Sequence, residues 1–135
     1  MSGYAEGGCH CGNIRYRVSG QPVAATLCHC VDCRKVSGGT NVAWAVFDKG
    51  KFEWLAGEPA DYSSSPGIHW LFCRACGSTV GYRRSERPEH MDITIGTLDQ
   101  PDLFPPDVEI WVKERIGWEA LHPDMAKRER SSLNE

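Results

Sequence analysis

Apolar and polar residues alternate with a period of two along several short stretches of this chain. In "NIRYRVSG", Ile14, Tyr16 and Val18 stand against Asn13, Arg15 and Arg17. That is the pattern of a half-buried strand, ending at Gly20. "VAWAVFD" (42–48) is a continuous apolar run and predicts a buried strand. "KFEWLAG" follows "DKG", which predicts a hairpin. "GIHWLFC" and "TVGYRR" flank "CRACG", so a tight turn between two strands is expected there. "MDITIGTL" alternates again, and "VEIWVKE" predicts a last strand.

Only two segments read as helical. "VDCRKVSG" predicts one turn, and "GWEALHPDMAKRER" a short helix broken near Pro123. "RRSERPEH" (83–90) reads as a solvated loop, and the polar stretch from Ala126 as a frayed tail. The expected fold is therefore mainly β, with one domain over 1–125 and a polar tail over 126–135.

Composition narrows this picture. A chain of 135 residues fits one domain. Its 14 glycines and 8 prolines imply many turns, and a loop-rich core gains from staples. A net charge of −3 argues against a general electrostatic grip on nucleic acid. No signal peptide and no membrane-length apolar window is read. The expectation is a cytoplasmic chain in a reducing compartment, where disulfides are rare. Its oligomeric state is left open.

The seven cysteines carry the candidate chemistry. They fall into "GGCHCGN" (Cys9, Cys11), "TLCHCVDCRK" (Cys28, Cys30, Cys33) and "LFCRACGST" (Cys73, Cys76). An odd number argues against a disulfide framework. "CRAC" has redox spacing, but its following Gly77 and the two companion clusters do not resemble a thioredoxin turn. Zinc fits better, because closely spaced cysteines deliver two ligands from one turn. Seven divides as four plus three, a closed structural site and an open catalytic one. Spacing alone does not force the grouping: one pair could join two of the triplet, and a His could fill a gap. His10 and His29 lie inside Cys-x-Cys units and are expected to point away from a metal. His69, His90 and His122 are isolated and read as structural.

The series "GGCHCGNIRYRV", "CHCVDCRKVSGG", "FCRACGSTV" and "IGTLD" resembles the glutathione-dependent formaldehyde-activating family, also called the centromere-protein-V/GFA-type domain. The resemblance spans roughly residues 7–122 and implies a mainly β, zinc-stapled fold of the Mss4-like kind. It implies two zincs per chain. Cys9, Cys11, Cys73 and Cys76 match the structural ligands; Cys28, Cys30 and Cys33 match those of a second, catalytic zinc. The implied activity is that of a carbon–sulfur lyase joining formaldehyde and glutathione into S-(hydroxymethyl)glutathione. A small-molecule thiol such as glutathione is the expected partner, with no nucleic acid and no membrane.

Three thiolates leave a fourth position at which a substrate thiol would lose its proton. Substrate contacts are sought in "CRKVSGGT". Arg34 and Lys35 could face glutathione carboxylates, and Gly38 and Gly39 permit close backbone approach. A charged surface turn that merely stabilises the thiolates is the competing reading. At the level of function, the competitor is a zinc-stapled protein-binding module without catalysis.

Overall fold

The structure, a computed structural model, describes residues 3–131. Eleven strands and one α-helix are formed among them: β1 (Tyr4–Gly8), β2 (Arg15–Ser19), β3 (Ala24–Cys28), α1 (Val31–Ser37), β4 (Val42–Asp48), β5 (Phe52–Ala56), β6 (Ala60–Ser65), β7 (Ile68–Phe72), β8 (Thr79–Arg84), β9 (His90–Thr94), β10 (Val108–Ile110) and β11 (Ala126–Lys127). The fold is mainly β. A small sheet runs β1-β2-β5, and a large one runs β11-β10-β3-β4-β9-β8-β7-β6. Pairing is antiparallel except for β10, which lies parallel to both β3 and β11.

The period-two pattern explains how the sheets pack. Ile14, Tyr16 and Val18 are buried to 3%, 0% and 1% exposure. They meet Ala45 and Phe47 of β4, Leu71 of β7, and Met91 and Ile93 of β9 in the main core. The intervening Arg15 and Arg17 face outward and pair with Asp99 and Glu53. β4 reads as a continuous apolar run because both of its faces are covered. Ala45 and Phe47 face the small sheet, whereas Trp44 joins a second cluster with Trp70, Cys28 and Cys33. That second face holds the candidate site.

The strand at 14–20, the buried strand at 42–48, the turn at "CRACG" and the helical turn after the triplet all form. Five expectations do not hold. "DKG" does not make a hairpin: Lys49–Lys51 is a 3-10 turn that carries the chain to the small sheet, where β5 pairs with β2. Aromatic packing explains the crossing, since Phe52 stacks on Tyr16 at 5.6 Å and Trp54 meets it edge-on at 6.4 Å. "MDITIGTL" stops being a strand at Thr94, where Ile95–Thr97 turns and Thr97 Oγ1 donates to the Thr94 carbonyl at 2.9 Å. "VEIWVKE" ends its strand at Ile110, because Trp111 takes a left-handed conformation (φ +56°) and Val112–Glu114 forms a 3-10 turn.

The expected C-terminal helix is absent among the described residues. Residues 126–131 are not frayed but run along β10, with Arg128 N–H donating to the Glu109 carbonyl (2.8 Å), and Trp111 N–H to that of Arg130 (3.1 Å). The cause is Glu109, a fully buried carboxylate that takes the His122 N–H at 2.8 Å and lies 3.3 Å from Lys127 Nζ. A buried charge must be paired, and satisfying it holds the turn at 122–125 and the short strand after it against β10. The rest of the expected tail, 132–135, lies outside the described residues.

Candidate active site

Two hairpins, one from each sheet, build the four-sulfur cluster. Cys9 and Cys11 sit in the β1–β2 turn, closed by Gly12 N–H to the Cys9 carbonyl (3.1 Å) and Cys9 N–H to that of Ile14 (3.1 Å). Cys73 and Cys76 sit in the β7–β8 turn, where Gly77 N–H reaches the Cys73 carbonyl at 2.7 Å. Gly77 has φ +82°, which an L side chain resists. The sulfurs of Cys9 and Cys11 are 3.6 Å apart, and those of Cys11 and Cys73 are 3.7 Å apart. A tetrahedron with metal–sulfur bonds of about 2.3 Å has edges of about 3.8 Å, so this donor set fits a metal ion. The Ser78 hydroxyl, 3.3 Å from Cys76 Sγ, and backbone N–H groups hold the Cys76 thiol down to about 5. Cys11 receives the Asn13 N–H but is still pushed up to about 11 by burial and its sulfur neighbours.

The three-sulfur cluster is assembled within six residues. Cys28 ends β3, and the next N–H, from His29, is fixed by the Ile110 carbonyl at 3.0 Å. Cys30 caps α1, its sulfur accepting the Cys33 N–H at 3.2 Å. Cys33 lies in the first turn and accepts Trp44 Nε1–H at 3.4 Å. The three sulfurs lie within 4.8 Å of one another and could hold a metal ion. Hydrogen bonds from the Cys28 and Cys33 thiols pull Cys30 down to about 3. Cys28 is driven up, first by its sulfur neighbours and then by burial. Cys33 is favoured by Cys28 but pushed up to about 12 by Cys30 and by burial. Crowded thiols that share one negative charge suit a cation at their centre.

His29 points away from the sulfurs. It is fully buried, and its Nε2 lies 2.8 Å from Glu109 Oε1. Bonds from His29, His122 and Lys127 hold the Glu109 carboxyl below its usual range despite burial. His10 is exposed, and its backbone N–H donates to Ser78 Oγ at 3.0 Å. His69 pairs with Asp61, and His90 lies beside Arg87.

All three triplet cysteines line a cavity of about 250 Å³, and no residue of the four-sulfur cluster does. Its wall is aromatic: Trp70 and Tyr82 ring centres are 4.7 Å apart, and Trp44 and Tyr82 are 5.8 Å apart. Arg84, Arg87 and Asp92 add charge to the lining.

Residues 4–114 match the family described as glutathione-dependent formaldehyde-activating enzyme. The chain belongs to this family. A protein of Halomonas elongata named for the same enzyme is 30% identical over 125 residues, covering 84% of this chain and 78% of that protein. A crystal structure of a Rhodobacter sphaeroides protein shares the fold at TM-score 0.60 and 22% identity, covering 75% of this chain and 96% of that one.

Within this member of the family, the three cysteine clusters of the sequence form two separate groups in space, the four and the three that the resemblance implies. Arg34, Lys35, Gly38 and Gly39 do not line the cavity. Gly38, at φ +76°, caps α1 with its N–H on the Arg34 carbonyl (2.7 Å), and Gly39 N–H donates to Ser37 Oγ (3.0 Å). The cations in the lining are Arg84 and Arg87, from the stretch expected to be a solvated loop. Trp44, Trp70, Tyr82 and Asp92 carry no local signal in the sequence beyond membership of their strands. Only strand register puts them on one face, with Trp44, Asp92, Tyr82 and Trp70 spread over four adjacent strands.

Proposed function

We propose that this chain is a zinc-dependent carbon–sulfur lyase acting on a thiol–aldehyde adduct, with S-(hydroxymethyl)glutathione formation from formaldehyde and glutathione as its activity. The observation that carries this reading is the placement of the sulfurs: Cys28, Cys30 and Cys33 all line the cavity, while Cys9, Cys11, Cys73 and Cys76 are four donors outside it. Four ligands close a structural site; three leave room for a substrate. Each cluster would therefore hold one zinc. At the triplet the ion would supply a position where a substrate thiol ionises at neutral pH and meets the aldehyde.

The protein's own groups do the rest. Trp44, Trp70 and Tyr82 exclude water from one wall and leave space for a small aldehyde. Arg84 and Arg87 attract the carboxylates of a glutathione-like thiol. Trp44 Nε1–H and the Cys33 N–H stabilise negative sulfur within the cluster. Seven unpaired thiols suit a reducing compartment such as the cytoplasm.

The test is NMR exchange spectroscopy of glutathione, formaldehyde and their adduct with the purified, reduced, zinc-loaded chain. The reading predicts exchange well above the uncatalysed rate, abolished by Cys30→Ser in a chain that stays folded. A protein-binding module would leave the exchange at its uncatalysed rate.

A further inference from the structure

Asp92 is a buried carboxyl that neither sulfur cluster uses. It lies in β9, opposite Val46 of β4 and Tyr82 of β8. Its neighbours Met91 and Ile93 point into the main core, and Asp92 faces the other way, into the cavity of the triplet. It is 9% exposed. Among the described residues no donor makes a hydrogen bond to its carboxylate. A buried acid without hydrogen bonds is costly to fold around, and such groups concentrate where they are used.

Its surroundings set its charge. From β8 come Tyr82 and Arg84, the latter bound by Glu86. The β8–β9 connection contributes Arg87, whose Nη1 is 3.4 Å from His90 Nδ1. β4 brings only Trp44 and Val46. The remaining ionisable lining is the three triplet cysteines with Asp32 and Glu114. Burial pushes the Asp92 carboxyl up to about 7, against the pull of Arg87 and Arg84. A carboxyl half-protonated near neutral pH can both give and take a proton in turnover.

We infer that Asp92 is the acid–base residue of this cavity, protonating the carbonyl oxygen as a thiolate adds to the aldehyde and taking that proton back when the adduct breaks down. The inference rests on the lyase reading above. In the forward direction the sulfur lone pair forms the C–S bond, and the C=O π electrons move to oxygen. That oxygen takes the Asp92 proton, leaving a carboxylate. The proton lost earlier by the thiol passes to water, which reprotonates Asp92. The net change is thiol plus aldehyde to hydroxymethyl thioether, with no redox step.

Two measurements on the full-length, zinc-loaded protein test this. The first is a carbon NMR titration of the Asp92 carboxyl without substrate, assigned with Asp92→Asn. A midpoint near 7 is expected. The second is the pH profile of kcat by exchange spectroscopy for both proteins. In the forward direction the wild type loses rate as pH rises through Asp92's midpoint. Asp92→Asn drops kcat about 100-fold at pH 6, keeps KM within a few-fold and lacks that alkaline limb, with unchanged circular dichroism and zinc content. A carboxyl titrating near 4, an unchanged kcat, or an effect on KM alone overturns the assignment and leaves the lyase reading intact. Absence of exchange by the wild-type protein overturns both.

Discussion

The two sulfur clusters share backbone N–H groups aimed at sulfur but differ in build and in surroundings. Cys9, Cys11, Cys73 and Cys76 sit in two hairpin turns with the positive-φ Gly12 and Gly77, whereas Cys28, Cys30 and Cys33 join a strand end to the first turn of α1. The four-sulfur cluster ties a hairpin of the small sheet to a hairpin of the large one. The three-sulfur cluster comes from one short segment and borders a cavity holding a buried acid that takes no hydrogen bond from the described residues. Under the proposed function, ligand count and surroundings point the same way: the set of four lies outside the cavity and the set of three lines it.

Removing one sulfur from each cluster should have the largest and most unequal effects. Cys73→Ser is expected to cost roughly 5 kcal/mol or more, read by urea denaturation, because it unties the two sheets. Cys30→Ser should abolish exchange while its denaturation midpoint stays near that of the wild type. Equal loss of folding in both variants would contradict the division of roles.

Next in size is the anchor beneath the triplet. Glu109→Ala strands His29 and the Lys127 ammonium, and truncating one partner of a buried pair costs about 3–5 kcal/mol. Glu109→Gln keeps the geometry and should recover part of this. Proteolysis at residues 118–131, faster in Glu109→Ala, would report release of this segment.

Several strands and the "CRACG" turn were legible in the sequence because their signals are local. Ile14, Tyr16 and Val18 alternate, and Cys73, Cys76 and Gly77 fit one turn. β6 (Ala60–Ser65) was hidden because it is a polar edge strand satisfied by β7 on one side only. β11 was hidden because a distant carboxylate, not its own two residues, lays it down. The grouping of the cysteines into four and three, left open by spacing, was legible through the family resemblance. The cavity was not, since Trp44, Trp70, Tyr82 and Asp92 meet only through long-range register.

The acid in the cavity sharpens the contrast through pH. The Asp92 carboxyl is raised from 3.8 to about 7 on folding. A raised carboxyl favours the folded state below its unfolded value, and that contribution is lost as pH climbs from about 4 to about 7. Asp92→Asn should flatten this decline and raise stability at pH 8 by on the order of a few kcal/mol, measured by thermal unfolding across pH. Sites that perform chemistry are commonly less stable than the fold could make them.

Smaller effects separate the basic residues. At pH 6, where Asp92 is mostly protonated, Arg87→Ala should raise KM for glutathione about 10-fold with little change in kcat, as expected for a lost carboxylate contact of about 1.4 kcal/mol. Lys35→Ala, outside the cavity lining, should leave KM within a factor of two. The reverse result would return the substrate to the α1 turn.

The most direct test of the central claim is native mass spectrometry of the reduced protein with and without glutathione, for the wild type and Cys30→Ser. Two zincs per wild-type chain and one bound glutathione are expected, with Cys30→Ser losing the glutathione and keeping the zinc of the four-sulfur cluster. Two zincs indifferent to glutathione would contradict that claim, because the triplet would then be a second closed staple.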